Sequence, residues 1–365
     1  MKTTKKILAV LLSALLLVSC MMTAFAVSGT DGNINWDYDE ATKTLTIGGT
    51  GVVGPYDYYE AFPGWNAYRE EIECLVIEDG VTDIGDLAFF DSGALRSVTI
   101  PDSVTSIGYA AFEDCNYLTS VTIPDSVTHI DDKAFRYCES LKSITIPDSV
   151  TSIGDEAFAF CKDLRSVTLS NSLTSIGDGV FGVCYSLESV TIPDGVTSIG
   201  QEAFVNCIAL TSVTIPDGVT SIGNGAFADC ESLKSVTIPV SVTRIGDGAF
   251  GNCEALTDVN YTGSEAQWNS IQIHENAFVV YDADANESYP LEVTVNYNYV
   301  APQPDTPDTP DTPDTPDTPA DTGAACPVCG QTTHDPEWLG ILHGVFYALK
   351  FLVNEVFTPL VNLFR

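Results

Sequence analysis

From Ile72 to Tyr261 the chain repeats one arrangement of apolar and polar positions every 23 residues. Phenylalanine recurs at Phe89, Phe112, Phe135, Phe158, Phe181, Phe204, Phe227 and Phe250, and cysteine at Cys115, Cys138, Cys161, Cys184, Cys207, Cys230 and Cys253. One unit reads L-x-S-V-T-I-P-D-S-V-T-S-I-G-x-x-A-F-x-x-C-x-x. Within it, Ser97-Val98-Thr99-Ile100 alternates and is β-branched, which predicts a short strand with Val98 and Ile100 facing inward. Pro101-Asp102 ends that strand. Val104 to Ile107 forms a second short extended piece and Gly108 a turn. Ala111, Phe112, Cys115 and Leu118 then fall about three apart, as on a short helical or 3₁₀ turn. One unit cannot bury its apolar face alone, so successive units must stack into a β-rich solenoid with a continuous parallel sheet. Nine strand positions at ~4.8 Å per step make a ladder of about 38 Å.

The pattern Ser120-Val121-Thr122-Ile123-Pro124-Asp125-Ser126-Val127, followed by Ala134-Phe135 and Cys138, resembles the BspA-type, or Treponema pallidum-type, leucine-rich repeat of bacterial surface proteins. The resemblance extends beyond the array. Trp36 to Gly51, with Thr44-Leu45-Thr46-Ile47 and Gly49-Thr50-Gly51, is similar to the N-terminal cap of such proteins. Tyr261-Thr262-Gly263 with Gln267-Trp268-Asn269 is similar to the variant unit that closes them. Ala277-Phe278 follows Ala249-Phe250 by 28 residues, so this last unit carries a five-residue insertion. Ser170-Asn171 replaces the usual Pro-Asp, and Pro239-Val240 lacks the Asp. The resemblance implies cell-surface display with adhesion or protein binding.

The expected organisation is a signal peptide over 1–26, an N-terminal cap over 27–71, the repeat array over 72–260 and a C-terminal cap over 261–300. A linker over 301–325 and a tail over 326–365 follow. Lys2, Lys5 and Lys6 precede the apolar run Ile7 to Val18, and Ala24-Phe25-Ala26 has the small-x-small pattern of a cleavage site, so export is expected. A competing route makes Cys20, in Leu17-Val18-Ser19-Cys20, a lipidated N-terminus. The linker repeats Pro-Asp-Thr, which predicts a disordered but semi-rigid spacer. In the tail, His343, Tyr347, Lys350 and Asn354 place a polar stripe on an otherwise apolar, amphipathic helix, suited to docking on a membrane surface or an envelope component.

Charge narrows the partners. Asp and Glu number 50 against 15 Lys and Arg, a net charge of −35, which excludes nucleic acid as a partner. Between Ile72 and Asn260 the acids outnumber the bases 27 to 8 and read as a solvated surface. The ladder cysteines read as buried thiols filling space, with disulfides between coils as the alternative. Cys326 and Cys329 have the spacing of half a zinc site, which His334 and His343 would complete; a local disulfide is the competing reading. Cofactors are not expected in the array. Gly49-Thr50-Gly51-Val52-Val53-Gly54 matches G-x-G-x-x-G, yet Pro55 follows at once and no helix is predicted there. Asp282, Asp284 and Asn286 begin like a calcium loop, but Glu287 stands where glycine is needed. His129 and His274 are isolated, and catalytic motifs are absent from the sequence. A non-enzymatic protein is therefore expected, binding a protein or cell-surface macromolecule; a structural spacer or coat component of the envelope is the alternative. Specificity should reside where the repeat is broken: Tyr109, Tyr117, Tyr137, Phe160 and Tyr185. Tyr137 and Phe160 occupy equivalent slots in adjacent units, where stacking would make an aromatic patch.

Overall fold

The computed structural model describes residues 26–59, 62–282 and 287–300. Each 23-residue unit forms one coil, and three stretches of every coil bond to the equivalent stretches of its neighbours. The first side begins with an antiparallel meander of β1 (Ala26–Asp31), β2 (Ile34–Asp39) and β3 (Thr44–Gly49). β3 then pairs in parallel with β5 (Cys74–Ile77), and β5 with Ser97–Thr99. Later coils continue in strict register: Ser143 faces Ser166, and Ser166 faces Ser189. Val98, Val121, Ile144 and Val167 point inward while the flanking serines and threonines are exposed, as the alternation predicts.

The second side is a parallel ladder from β4 (Gly51–Val53) through β6 (Val81–Ile84), Ser106–Ile107 and His129–Ile130 to Ser152–Ile153. It resumes from Ser198–Ile199 to Gln272–Ile273, joined through an Ile176 to Ile199 bridge. The G-x-G-x-x-G segment holds the bend, at Gly49-Thr50, that carries the chain from the first side to β4 on the second. Gly49 has φ 105°, and a Cβ there would sit 2.2 Å from the Asn33 carbonyl oxygen, so glycine is required by packing.

The third side consists of turns. Ala111 N–H bonds to Gly108 O (3.3 Å) and Cys115 N–H to Phe112 O (3.3 Å), the i to i+3 pattern of a 3₁₀ turn. Ala110 and Asp114 are left-handed, with φ 51° and 62°, so no turn propagates into a helix. This zigzag aims the N–H groups of Ala110, Phe112 and Asp114 at the carbonyls of Asp132, Ala134 and Arg136 in the next coil, at 3.0, 2.8 and 2.9 Å. The backbone groups that a helix would satisfy internally are satisfied between coils instead.

Inside, the ladder phenylalanines stack ring on ring from Phe89 to Phe278, with centroids 5.1–5.7 Å apart. Trp65 closes the stack at the N-terminal end, 5.7 Å from Phe89. The ladder cysteines are buried free thiols. They do more than fill space: Cys138 S–H donates to Phe112 O (3.3 Å) and Cys161 S–H to Phe135 O (3.4 Å), and the remaining ladder thiols repeat the bond. Burial raises the pKa values of Cys115, Cys138, Cys161, Cys184 and Cys207, that of Cys184 to about 12.

At the C-terminal end the insertion is absorbed by helix α1 (Glu265–Trp268), which starts in a capping box made by Ser264 and Gln267. Register returns afterwards, because Ile273 pairs with Ile245 and Phe278 stacks on Phe250 at 5.1 Å. Thr294–Asn296 then covers the last strand of the first side. The leader-like stretch with Cys20, the Pro-Asp-Thr linker, and the tail with Cys326, Cys329, His334 and His343 lie outside the described residues, as do Asp284 and Asn286.

Candidate binding surface on the turn side

The left-handed residue before each ladder cysteine turns its side chain away from the core. In two adjacent coils this slot holds Tyr137 (φ 59°) and Phe160 (φ 62°). Their rings stack with centroids 4.4 Å apart and planes inclined by 27°. The Arg136 guanidinium covers both, 4.6 Å from the Tyr137 centroid and 5.4 Å from that of Phe160. It is held from two sides, by Glu113 Oε1 at 3.1 Å and Glu156 Oε2 at 2.9 Å. Burial disfavours the charge on Arg136, but the Glu113 hydrogen bond and both carboxylate charges outweigh it and raise its pKa. Glu113 is only 5% exposed and also accepts from Tyr58 Oη at 3.1 Å. Tyr58 in turn packs edge-on against Phe90 at 4.9 Å. A connected aromatic and charged strip therefore runs from the N-terminal cap along the turn side.

Beyond Phe160 the strip opens into a hollow of about 490 Å³, whose lining includes Gly179 and Gly182. Along its edge a side-chain ladder ties the coils together. Asp132 Oδ1 accepts the Asp155 N–H (2.7 Å), Asp155 Oδ1 the Asp178 N–H (2.8 Å), and Asp178 Oδ1 the Gln201 N–H (2.7 Å). These close bonds explain the repeat glycine: a Cβ on Gly200 would lie 2.5 Å from Asp178 Oδ1. Tyr109 interrupts the ladder, and in the following coil Asp131 takes over by accepting the Asp132 N–H with its own carboxylate (2.8 Å).

The five predicted aromatic residues do not form one patch. Tyr137 and Phe160 are brought together, whereas Tyr109 lies under Lys133 Nζ at 5.7 Å and Tyr117 under Arg96 Cζ at 5.4 Å. Tyr185 is exposed, and among the described residues no ring contact joins Tyr117 or Tyr185 to the stacked pair. Sequence reasoning missed Arg136, Tyr58 and the hollow. Arg136 carried a weak signal, as the one arginine directly before a predicted aromatic slot. His129 Nδ1 lies 2.6 Å from Ser152 Oγ and His274 Nδ1 3.0 Å from Asp247 Oδ1, each in a surface pair. Among the described residues no group of three His, Cys, Asp or Glu is placed to hold a metal ion, and no helix is long and apolar enough to cross a membrane.

Solved structures similar to this chain include bacterial leucine-rich repeat proteins. One from Bacteroides ovatus is 24% identical, covers 74% of this chain and 90% of its own, with a TM-score of 0.48. A leucine rich cell surface protein from Faecalibacterium prausnitzii is 28% identical over 67% of this chain and 97% of its own, with a TM-score of 0.33. The T. pallidum leucine-rich repeat protein is 23% identical over 64% and 81%, with a TM-score of 0.27. No curated protein matches the chain. The profile described as BspA type Leucine rich repeat region matches residues 66–187 and 151–279, with six copies. Coils of 23 residues in register, one shared phenylalanine stack and this match together show that the chain belongs to the BspA-type leucine-rich repeat family.

Proposed function

We propose that this is an exported cell-surface protein that binds another protein, or a macromolecule on another cell, through the turn side of its solenoid, without catalysis. The observation that carries this reading is the Tyr137 and Phe160 stack with Arg136 on its faces. Aromatic and arginine side chains supply most of the free energy at protein interfaces, and here neighbouring groups hold them in place before any partner arrives. Membership of a repeat family used for protein interaction supports the same reading, and the leader-like N-terminus supports export.

Attachment of intact cells displaying the protein to surfaces coated with extracellular matrix tests it. The double variant Tyr137→Ala/Phe160→Ala is expected to lower attachment at least about tenfold while the circular dichroism spectrum is unchanged. Attachment equal to that of the parent would refute the assignment of this surface. Protease treatment of intact cells should release repeat peptides; if none appear, display at the surface is wrong. The structural-spacer reading is favoured by the uniform exposed hydroxyls of Ser97, Ser120, Ser143 and Ser166 on the first side, and it replaces binding if cells displaying the parent protein attach no better than cells without it.

A further inference from the structure

The hollow beside Phe160 exists because one coil lacks side chains where its neighbours have them. The slot after the ladder phenylalanine holds Arg136, Ala159, Gly182 and Val205 in successive coils, and the preceding left-handed slot holds Lys133, Glu156, Gly179 and Glu202. The coil of Gly179 and Gly182 therefore has no side chain in either slot: Gly179 is partly exposed, Gly182 is buried with Val205 Cγ1 against it, and the apolar side chains of Ala159, Phe160, Val183 and Val205 line the hollow. Its rim carries four carboxylates, Asp155, Glu156, Asp178 and Glu202, and one cation, Arg136. Arg136 is already paired with Glu113 and Glu156. Asp155, Asp178 and Glu202 are exposed, and the first two are oriented by the backbone N–H groups that their Oδ1 atoms accept.

An apolar floor below a carboxylate rim matches a side chain with a methylene stem and a cationic head. A phosphate or carboxylate ligand would meet like charge. A neutral ligand would leave the rim unused. We infer that this hollow seats a lysine or arginine side chain from an extended, cationic segment of the partner protein. The inference rests on the binding surface proposed above and names the chemistry of what it takes.

The test uses the full chain and fluorescence anisotropy of a labelled short peptide of alternating lysine and serine, with the glutamate and serine peptide of equal length beside it. The lysine peptide is expected to bind and the glutamate peptide to stay free. Asp178→Asn/Glu202→Gln should raise the Kd about tenfold. Asp102→Asn/Asp125→Asn removes the same charge from exposed positions elsewhere and should change it less than about twofold. Gly182→Val narrows the hollow, its Cβ lying 3.2 Å from Val205 Cγ1, which must turn aside to admit it; it should raise the Kd about tenfold, read at a temperature well below the variant's own thermal transition. Equal weakening by both charge variants would show attraction to the acidic chain as a whole and overturn the inference, as would unchanged binding to Gly182→Val or no binding of the lysine peptide. If the lysine peptide stays free while Tyr137→Ala/Phe160→Ala still abolishes attachment, the inference fails and the surface assignment survives. If attachment is unaffected by that variant, the surface assignment fails.

Discussion

Phe181→Ala tests whether the coils share one interior. The Phe181 ring is completely buried and lies between two others, 5.7 Å from Phe158 and 5.6 Å from Phe204. Truncating such a side chain removes its transfer free energy and leaves a cavity that the neighbours only partly close, about 3 to 5 kcal/mol in well-packed cores. Two ring contacts of roughly 0.5 to 1.5 kcal/mol each place Phe181 toward the upper end of that range. Phe278 is the internal comparison. It is partly buried and stacks on Phe250 alone at 5.1 Å, so its truncation should cost about half as much or less. Urea unfolding followed by circular dichroism, with linear extrapolation, measures both. Because coils couple only to their neighbours, Phe181→Ala should also broaden or split the transition as the two halves of the array begin to melt apart. A cost below about 1 kcal/mol for Phe181→Ala, or equal costs at the two positions, would mean that the rings do not form a shared core.

Other expectations follow from the same contacts. Buried thiols should resist alkylation in the native protein: mass spectrometry after iodoacetamide at pH 8 is expected to find Cys74 modified, and the seven ladder cysteines modified only in urea. Native labelling of Cys184 would contradict this. The raised thiol pKa values make folding pH-dependent on the alkaline side. The unfolded chain releases these protons near the ordinary value of 9.0 and the folded one only near about 12 for Cys184, so their contribution is complete below pH 9 and disappears as pH rises toward 12. Stability that rose over that interval would have the wrong sign. Gly200→Ala places a Cβ 2.5 Å from Asp178 Oδ1 and should cost about 1 to 3 kcal/mol, whereas Gly93→Ala meets nothing within 4 Å and should be neutral. Val183 is β-branched with φ 61° where other coils carry Asn206 and Asn252, so Val183→Asn should stabilise by about 1 kcal/mol, read as a raised Tm. The tail set Cys326, Cys329, His334 and His343 is expected to bind about one zinc per chain, lost in Cys329→Ser; metal-free wild-type protein would end that proposal.

Periodicity alone determined the stacked solenoid, the inward faces of its strands and the phenylalanine and cysteine ladders. A fixed step of 23 leaves each residue no neighbour but its own equivalent, so Phe135 must meet Phe112 and Phe158. The 28-residue step to Phe278 announced an insertion, and the tertiary structure showed that α1 stores it while register resumes beyond. Three features needed coordinates. The paired left-handed turns occur at Lys133, Glu156 and Glu202, residues with no local preference for that conformation, because hydrogen bonds to the next coil impose it. The Arg136 clamp joins Glu113, Glu156 and Tyr58, and the reach of Tyr58 from the N-terminal cap follows no repeat. The hollow is defined by side chains missing at Gly179 and Gly182, and its volume depends on the height of the coils on either side. A repeat fixes what is the same in every coil, whereas a binding surface is built from what differs between coils, and only packing in three dimensions decides which differences meet.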